Sequence, residues 1–197
     1  MTKFILVGGY VHKAKDGGLS FCKEMVSGLG NNRRIKILDC MFARPKESWK
    51  NKFNEDKVYL SKFIDNFELE LADTDKFTEQ IKLSDVIFFR GGDTYMLWNI
   101  LNTNGDWLKN LENKCVVGTS AGAEVISKYA YNLDTSKIDE YSGLLPIKFI
   151  PHWKSDYNSP NINWDDAKEQ LDNYKEKIEI ITLSEGEFKV FNTDSTK

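Results

Sequence analysis

Two apolar runs in this chain stop abruptly at small residues. Asp85-Val86-Ile87-Phe88-Phe89-Arg90 runs into Gly91-Gly92, and Cys115-Val116-Val117 runs into Gly118-Thr119-Ser120-Ala121-Gly122. A run that is apolar at successive positions, not at every second one, suits a strand covered on both faces, and glycine after it suits a tight turn. Lys3 to Val7, ending in Gly8-Gly9, and Ile35-Lys36-Ile37-Leu38 read as further strands. Between them Leu19, Cys22, Met25, Val26 and Leu29 recur at three- and four-residue steps before Gly30, which marks a helix with one apolar stripe. Trp49, Phe53, Leu60, Phe63 and Ile64 mark a longer helix through a lysine-rich stretch, and Met96, Leu97 and Ile100 mark another that Asp93 can cap. Strand and helix alternate. The expected fold class is therefore α/β, a mainly parallel sheet flanked by helices on both faces, with its sites at the carboxyl ends of the strands.

Past Ser120 the pattern is less regular. Leu144 to His152 reads as an extended segment punctuated by Pro146 and Pro151, and Asp165 to Tyr174 as a helix. Ile178 to Leu183 and Phe188 to Phe191 read as two strands joined through a hairpin turn, Ser184-Glu185-Gly186-Glu187. With 197 residues and 41% hydrophobic content, the chain is expected to be one α/β domain over residues 1–197.

A net charge of -3, from 27 basic and 30 acidic residues spread along the chain, offers no basic face that would gather phosphates, so nucleic acid is not an expected partner. No apolar run approaches the roughly 20 residues that span a bilayer, and the apolar part of the start is short for a signal peptide. No membrane association is expected and the chain reads as cytoplasmic. Cys22, Cys40 and Cys115 lack CxxC spacing and suggest neither a disulfide framework nor a zinc site. No metal and no cofactor are expected.

The small residues around Ser120 permit the sharp strand-to-helix turn that lifts a serine hydroxyl above a sheet edge. A serine hydroxyl is a poor nucleophile and needs a base and hydrogen-bond donors for the developing oxyanion. The Ala121 amide at the start of a helix and Gly92 in the neighbouring glycine turn are the candidate donors. Of the two histidines, His152 in Pro151-His152-Trp153 is preferred as base, because its apolar segment can run to the active edge, whereas His12 lies in a polar loop. A carboxylate should hold the imidazole in the correct tautomer, and Asp134, Asp139 and Glu140 all lie between Ser120 and His152. Glu124, one helical turn beyond Ser120, is another candidate or a charge on a helix face.

Taken together, Phe89-Arg90-Gly91-Gly92-Asp93-Thr94, Val117-Gly118-Thr119-Ser120-Ala121-Gly122-Ala123 and Ile150-Pro151-His152-Trp153 resemble peptidase family S51, the dipeptidase E (aspartyl dipeptidase) and cyanophycinase group. The resemblance implies a flavodoxin-like or class I glutamine-amidotransferase-like fold and a metal-independent serine peptidase acting on small peptides. It matches Ser120 to the nucleophile, His152 to the base, Gly92 and Ala121 to the oxyanion donors and, across a small gap, Asp134 to the triad aspartate. Gly-Gly-Asp-Thr replaces the usual Gly-Gly-Asn-Thr, which puts Asp93 near the pocket or makes it a helix cap. Aspartyl dipeptidases read an amino-terminal aspartate with an arginine beyond the catalytic histidine, and no arginine follows Arg90 here. Arg90, Lys154 or Lys168 are the cations left to bind an acidic substrate, and lysine lacks the planar fork that suits a carboxylate. The expected function is a dipeptidase E-type serine peptidase, Asp-Xaa dipeptides included. The alternative is a family member with a decayed triad that acts as a binding or regulatory protein.

Overall fold

A computed structural model of the chain describes residues 1–30, 33–157 and 162–193. In chain order the elements are β1 (Thr2–Val7), α1 (Leu19–Val26), β2 (Ile35–Cys40), α2 (Trp49–Leu60), β3 (Phe67–Leu71), α3 (Phe77–Leu83), β4 (Val86–Phe89), α4 (Thr94–Thr103), β5 (Cys115–Thr119), α5 (Ala121–Ile126), β6 (Ser127–Asn132), β7 (Lys137–Glu140), β8 (Leu145–Ile150), α6 (Trp164–Asn173), β9 (Ile180–Thr182) and β10 (Phe188–Thr193). The main sheet has the order β10-β1-β5-β4-β2-β3, parallel except for β10, which runs antiparallel to β1. It is the α/β fold expected of the alternating runs.

Continuous apolarity in the central strands has a direct reading. Phe4, Leu6, Ile87, Phe89 and Val116 join one core with α3, α4 and α5, while Ile5, Val7, Val86, Phe88, Cys115 and Val117 join a second core with α1 and the end of α2. Successive residues point to opposite faces, so burial of both faces requires apolar side chains at every position. β3 shows the opposite case. Its Phe67-Glu68-Leu69-Glu70-Leu71 alternates at the sheet edge, and the glutamates mask the strand within a charged stretch. The helix expected to reach Ile64 ends at Leu60, and Phe63 and Ile64 continue as a turn on the Leu60 carbonyl.

A second sheet, β7-β6-β8-β9, follows α5. One side, through Ala130, Phe149 and Ile181, packs into the core shared with α5, and the other, through Tyr129, Tyr131 and Ile150, packs on Ala167 and Leu171 of α6. This sheet corrects the expected hairpin. β9 pairs with β8 in the small sheet and β10 with β1 in the large one, so Ser184–Glu187 is a corner between sheets. Each strand has an apolar side that a different sheet covers, a distinction invisible to local pattern. No helix among the described residues is long and apolar enough to cross a membrane.

Candidate active site

The carboxyl ends of β1, β5, β4 and β2 meet at one edge, with Val7 opposite Thr119, Phe89 opposite Gly118 and Cys40 opposite Phe89. Ser120 sits where β5 passes into α5, with φ 48° and ψ −112°. A non-glycine residue there costs about 1–3 kcal/mol and persists only when its surroundings hold it. They do so here: the Ser120 N–H donates to Val7 O at 3.0 Å, and Ser120 O accepts from the Ala123 and Glu124 amides at 2.8 and 2.9 Å.

His152 follows β8, also at positive φ (50°), and its N–H donates to Gly8 O at 2.9 Å. Its Nε2 lies 2.9 Å from Ser120 Oγ. The residue is only 3% exposed, and its ring stacks on Tyr157 at 3.8 Å between centroids and 8° between planes and meets Tyr10 at 5.6 Å. Gly9 lies beneath it, where a Cβ would stand 2.1 Å from His152 Cε1. Burial pulls the imidazole down to about 4, against the opposing effects of Glu185 and Asp134. At neutral pH it is therefore unprotonated, the form that can accept a hydroxyl proton.

The carboxylate facing the other ring nitrogen is Glu185. Its Oε1 lies 3.5 Å from His152 Nδ1, a buried nitrogen without a hydrogen-bond partner. That separation is an ion pair once the ring is charged, and is looser than a formed hydrogen bond. Asp134 stands elsewhere, in the turn after β6, where its N–H donates to Asn132 Oδ1 at 3.0 Å. It acts on His152 through charge alone, with no direct hydrogen bond or ion pair to the ring. Asp139 accepts from the Tyr95 hydroxyl at 2.6 Å, and Glu140 pairs with Lys175. Glu124 is not a surface charge. It is 3% exposed and accepts from Thr94 Oγ1 at 2.8 Å, and burial pushes its carboxyl up to about 8. A six-residue helix clamped between two sheets has no solvent face to carry a charge.

Ala121 follows the serine in the chain, and Gly92 borders the same cavity as Ser120. Gly92 approaches the Ala43 carbonyl so closely that a Cβ would lie 2.2 Å from that oxygen. Among the described residues none accepts a hydrogen bond from the Gly92 or Ala121 amide, which leaves both N–H groups available.

A cavity of about 450 Å³ opens beside Ser120 and His152, bordered also by Gly92, Arg90, Arg44 and Tyr157. Arg90 lies over the Phe88 ring and donates to Asp56 Oδ1 at 2.8 Å. Behind them Asp39 is fully buried with both carboxylate oxygens unpartnered, and burial together with Asp56 pushes its carboxyl well above the usual range. Asp93 and Lys154 do not border the cavity. Asp93 is the exposed cap of α4, accepting from the Met96 amide at 2.9 Å, and the Lys154 ammonium lies 5.4 Å from the Trp153 ring centroid. Lys168 is exposed on α6. Arg44, just past the end of β2, is the cation that the sequence reading missed, and the rule that sites gather at carboxyl ends of strands was the signal available for it. Glu185 had no such signal. Among the described residues no cluster of His, Cys, Asp and Glu is arranged to hold a metal ion.

The sequence model of peptidase family S51 matches residues 47–197, a stretch that contains Ser120, His152 and Glu185. Among solved structures, a peptidase from an acI-B1 Actinobacterium is similar with a TM-score of 0.70 and 23% identity, over 97% of this chain and 83% of that one. A putative peptidase E protein from Listeria monocytogenes EGD-e gives a TM-score of 0.67 and 16% identity over 100% of both chains. At these identities the likeness is one of fold. No curated protein matches the chain.

Proposed function

The chain belongs to peptidase family S51, and from that premise we propose that it is a serine-type peptidase that cleaves small peptides, dipeptides among them, through an acyl-enzyme on Ser120. The observation that carries this reading is the 2.9 Å approach of His152 Nε2 to a serine oxygen held on a strained turn.

In the proposed reaction Ser120 Oγ attacks the scissile carbonyl carbon while its proton passes to His152 Nε2. The carbonyl oxygen becomes an oxyanion against the Gly92 and Ala121 amides, each such donor contributing about 3 kcal/mol. The imidazolium formed at this moment is the species that Glu185 stabilises from the Nδ1 side. Collapse of the intermediate expels the amine, which takes the proton from Nε2. Water then attacks the acyl carbon, giving its proton to His152, and the second collapse frees the acid and restores Ser120.

Glu185 takes the orienting role in this reading, and Asp134 adds negative charge at longer range. Arg44 and Arg90 on the cavity wall supply the planar cations for a peptide carboxylate, which supports acidic substrates such as Asp-Xaa dipeptides. A panel of dipeptides with aspartate, glutamate and neutral first residues tests the reading, comparing wild type with Ser120→Ala. The variant should lose roughly 10³-fold or more of kcat and all labelling by a fluorophosphonate. Activity that survives in Ser120→Ala removes the acyl-enzyme. A wild-type serine that does not react with the probe makes the chain a non-catalytic member of the family.

A further inference from the structure

Glu185 is held by two basic groups. While Oε1 faces His152 Nδ1 at 3.5 Å, Oε2 accepts from the Lys13 ammonium. Lys13 closes the short 3-10 turn Val11–Lys13 after β1, where its N–H donates to Tyr10 O at 2.8 Å and its ammonium lies 4.7 Å from the Tyr10 ring centroid. Two backbone hydrogen bonds, Gly186 N–H to Gly9 O at 2.8 Å and Gly8 N–H to Glu187 O at 3.0 Å, fasten the corner carrying Glu185 to the loop carrying Lys13. Acid and cation are thus set against each other by the chain itself.

A second cavity, of about 430 Å³, opens beside this pair, bordered by Tyr10, Lys13, Ser155, Asp156, Tyr157 and Glu185. It brings an opening to the acid side of a contact whose other side is a buried imidazole. A carboxylate next to such an opening gains hydration by turning away from a neutral ring nitrogen. An ammonium on one of its oxygens fixes the plane of the group and leaves the second oxygen toward the ring.

We propose that Lys13 is a positioning residue, clamping Glu185 through Oε2 so that Oε1 faces His152 Nδ1. Its kinetic consequence rests on the serine-peptidase reading above. The charged and titratable groups facing His152 are Glu185, Lys13 and Asp134, with the Tyr10 and Tyr157 rings against it; those facing Lys13 are Glu185, Asp156 and Tyr10. Glu185 raises the ring more than Lys13 lowers it, so a Glu185 released from the clamp must leave the ring lower, whereas loss of the Lys13 charge with Glu185 still in place would move it upward. The hydrogen bond to Glu185 raises the Lys13 ammonium, which stays charged at neutral pH.

Lys13→Met removes the charge and keeps most of the length, and Lys13→Arg keeps the charge. The chain has two histidines, so an NMR titration of the imidazoles reads His152 directly, with His152→Asn assigning the signals. Fluorophosphonate labelling of Ser120 reads the reactivity of the serine. In Lys13→Met the His152 titration should fall and labelling near neutral pH should slow roughly tenfold, with Lys13→Arg close to wild type in both. A titration that rises or stays unmoved, or labelling within twofold of wild type, overturns the clamp. Should wild-type Ser120 not react at all, the serine-peptidase reading fails, and the titration alone then upholds or overturns the clamp.

Discussion

Glu185→Gln tests the orienting role proposed for Glu185 apart from every other acid near His152. Opposite charges 3.5 Å apart interact by about 5 kcal/mol at an effective dielectric constant of 20. The Lys13 ammonium on Oε2 cancels part of this, and if about half survives the imidazolium loses roughly 2–3 kcal/mol, a fall in kcat of roughly 30- to 150-fold. Glutamine keeps an oxygen for Lys13, so the corner should hold its shape. The pH profile adds a signed readout. Burial has lowered His152 to about 4 and Glu185 works against that shift, so the variant's acid limb of kcat/KM should move to still lower pH while the plateau falls. Steady-state kinetics on the best dipeptide from pH 3 to 8 measure both, with Asp134→Asn run beside it. A plateau within threefold of wild type and an unmoved limb would refute the assignment. If Asp134→Asn shows the collapse instead, the acid is Asp134.

Three further outcomes are expected. Gly9→Ala should cut fluorophosphonate labelling roughly 100-fold, because a Cβ 2.1 Å from His152 Cε1 must displace the ring; unchanged labelling would show that the ring's place is not critical. Asp39→Asn should raise the melting temperature at neutral and alkaline pH, at about 2–4 °C per kcal/mol gained, and leave it unchanged in acid. The sign follows from a folded-state carboxyl raised by burial, whose protonated form favours folding at low pH and whose benefit is lost as pH rises through the raised value. Arg44→Met should raise KM for acidic dipeptides roughly tenfold, about 1.4 kcal/mol, with kcat less affected; equal loss for acidic and neutral substrates would remove Arg44 from specificity.

Much of the frame was legible from the residues in order. Val86–Phe89 and Cys115–Thr119 are apolar at every position because the sheet is covered on both faces, and that property lives in neighbouring residues. The same locality made Ser120 readable, since the turn that exposes it is made by its own neighbours. Gly92 was legible for the same reason. Charge and burial were not: Glu124, open as the acid for His152 or as a helix-face charge, lies buried against Thr94, and Lys154 looked like a substrate cation and lies on Trp153.

What the sequence by itself determined is therefore the strand-turn-helix carrying Ser120, the neighbouring glycine turn, and the alternation that places both at one sheet edge. Tertiary structure decided which acid faces His152. Ile180–Thr182 joins one sheet and Phe188–Thr193 the other, so a stretch with the look of a hairpin turn becomes the corner that delivers Glu185 to Nδ1 and to Lys13. Nothing local distinguishes these outcomes, because either pairing satisfies the two strands' backbone. The choice is made by the apolar side each strand buries against residues far away in the chain.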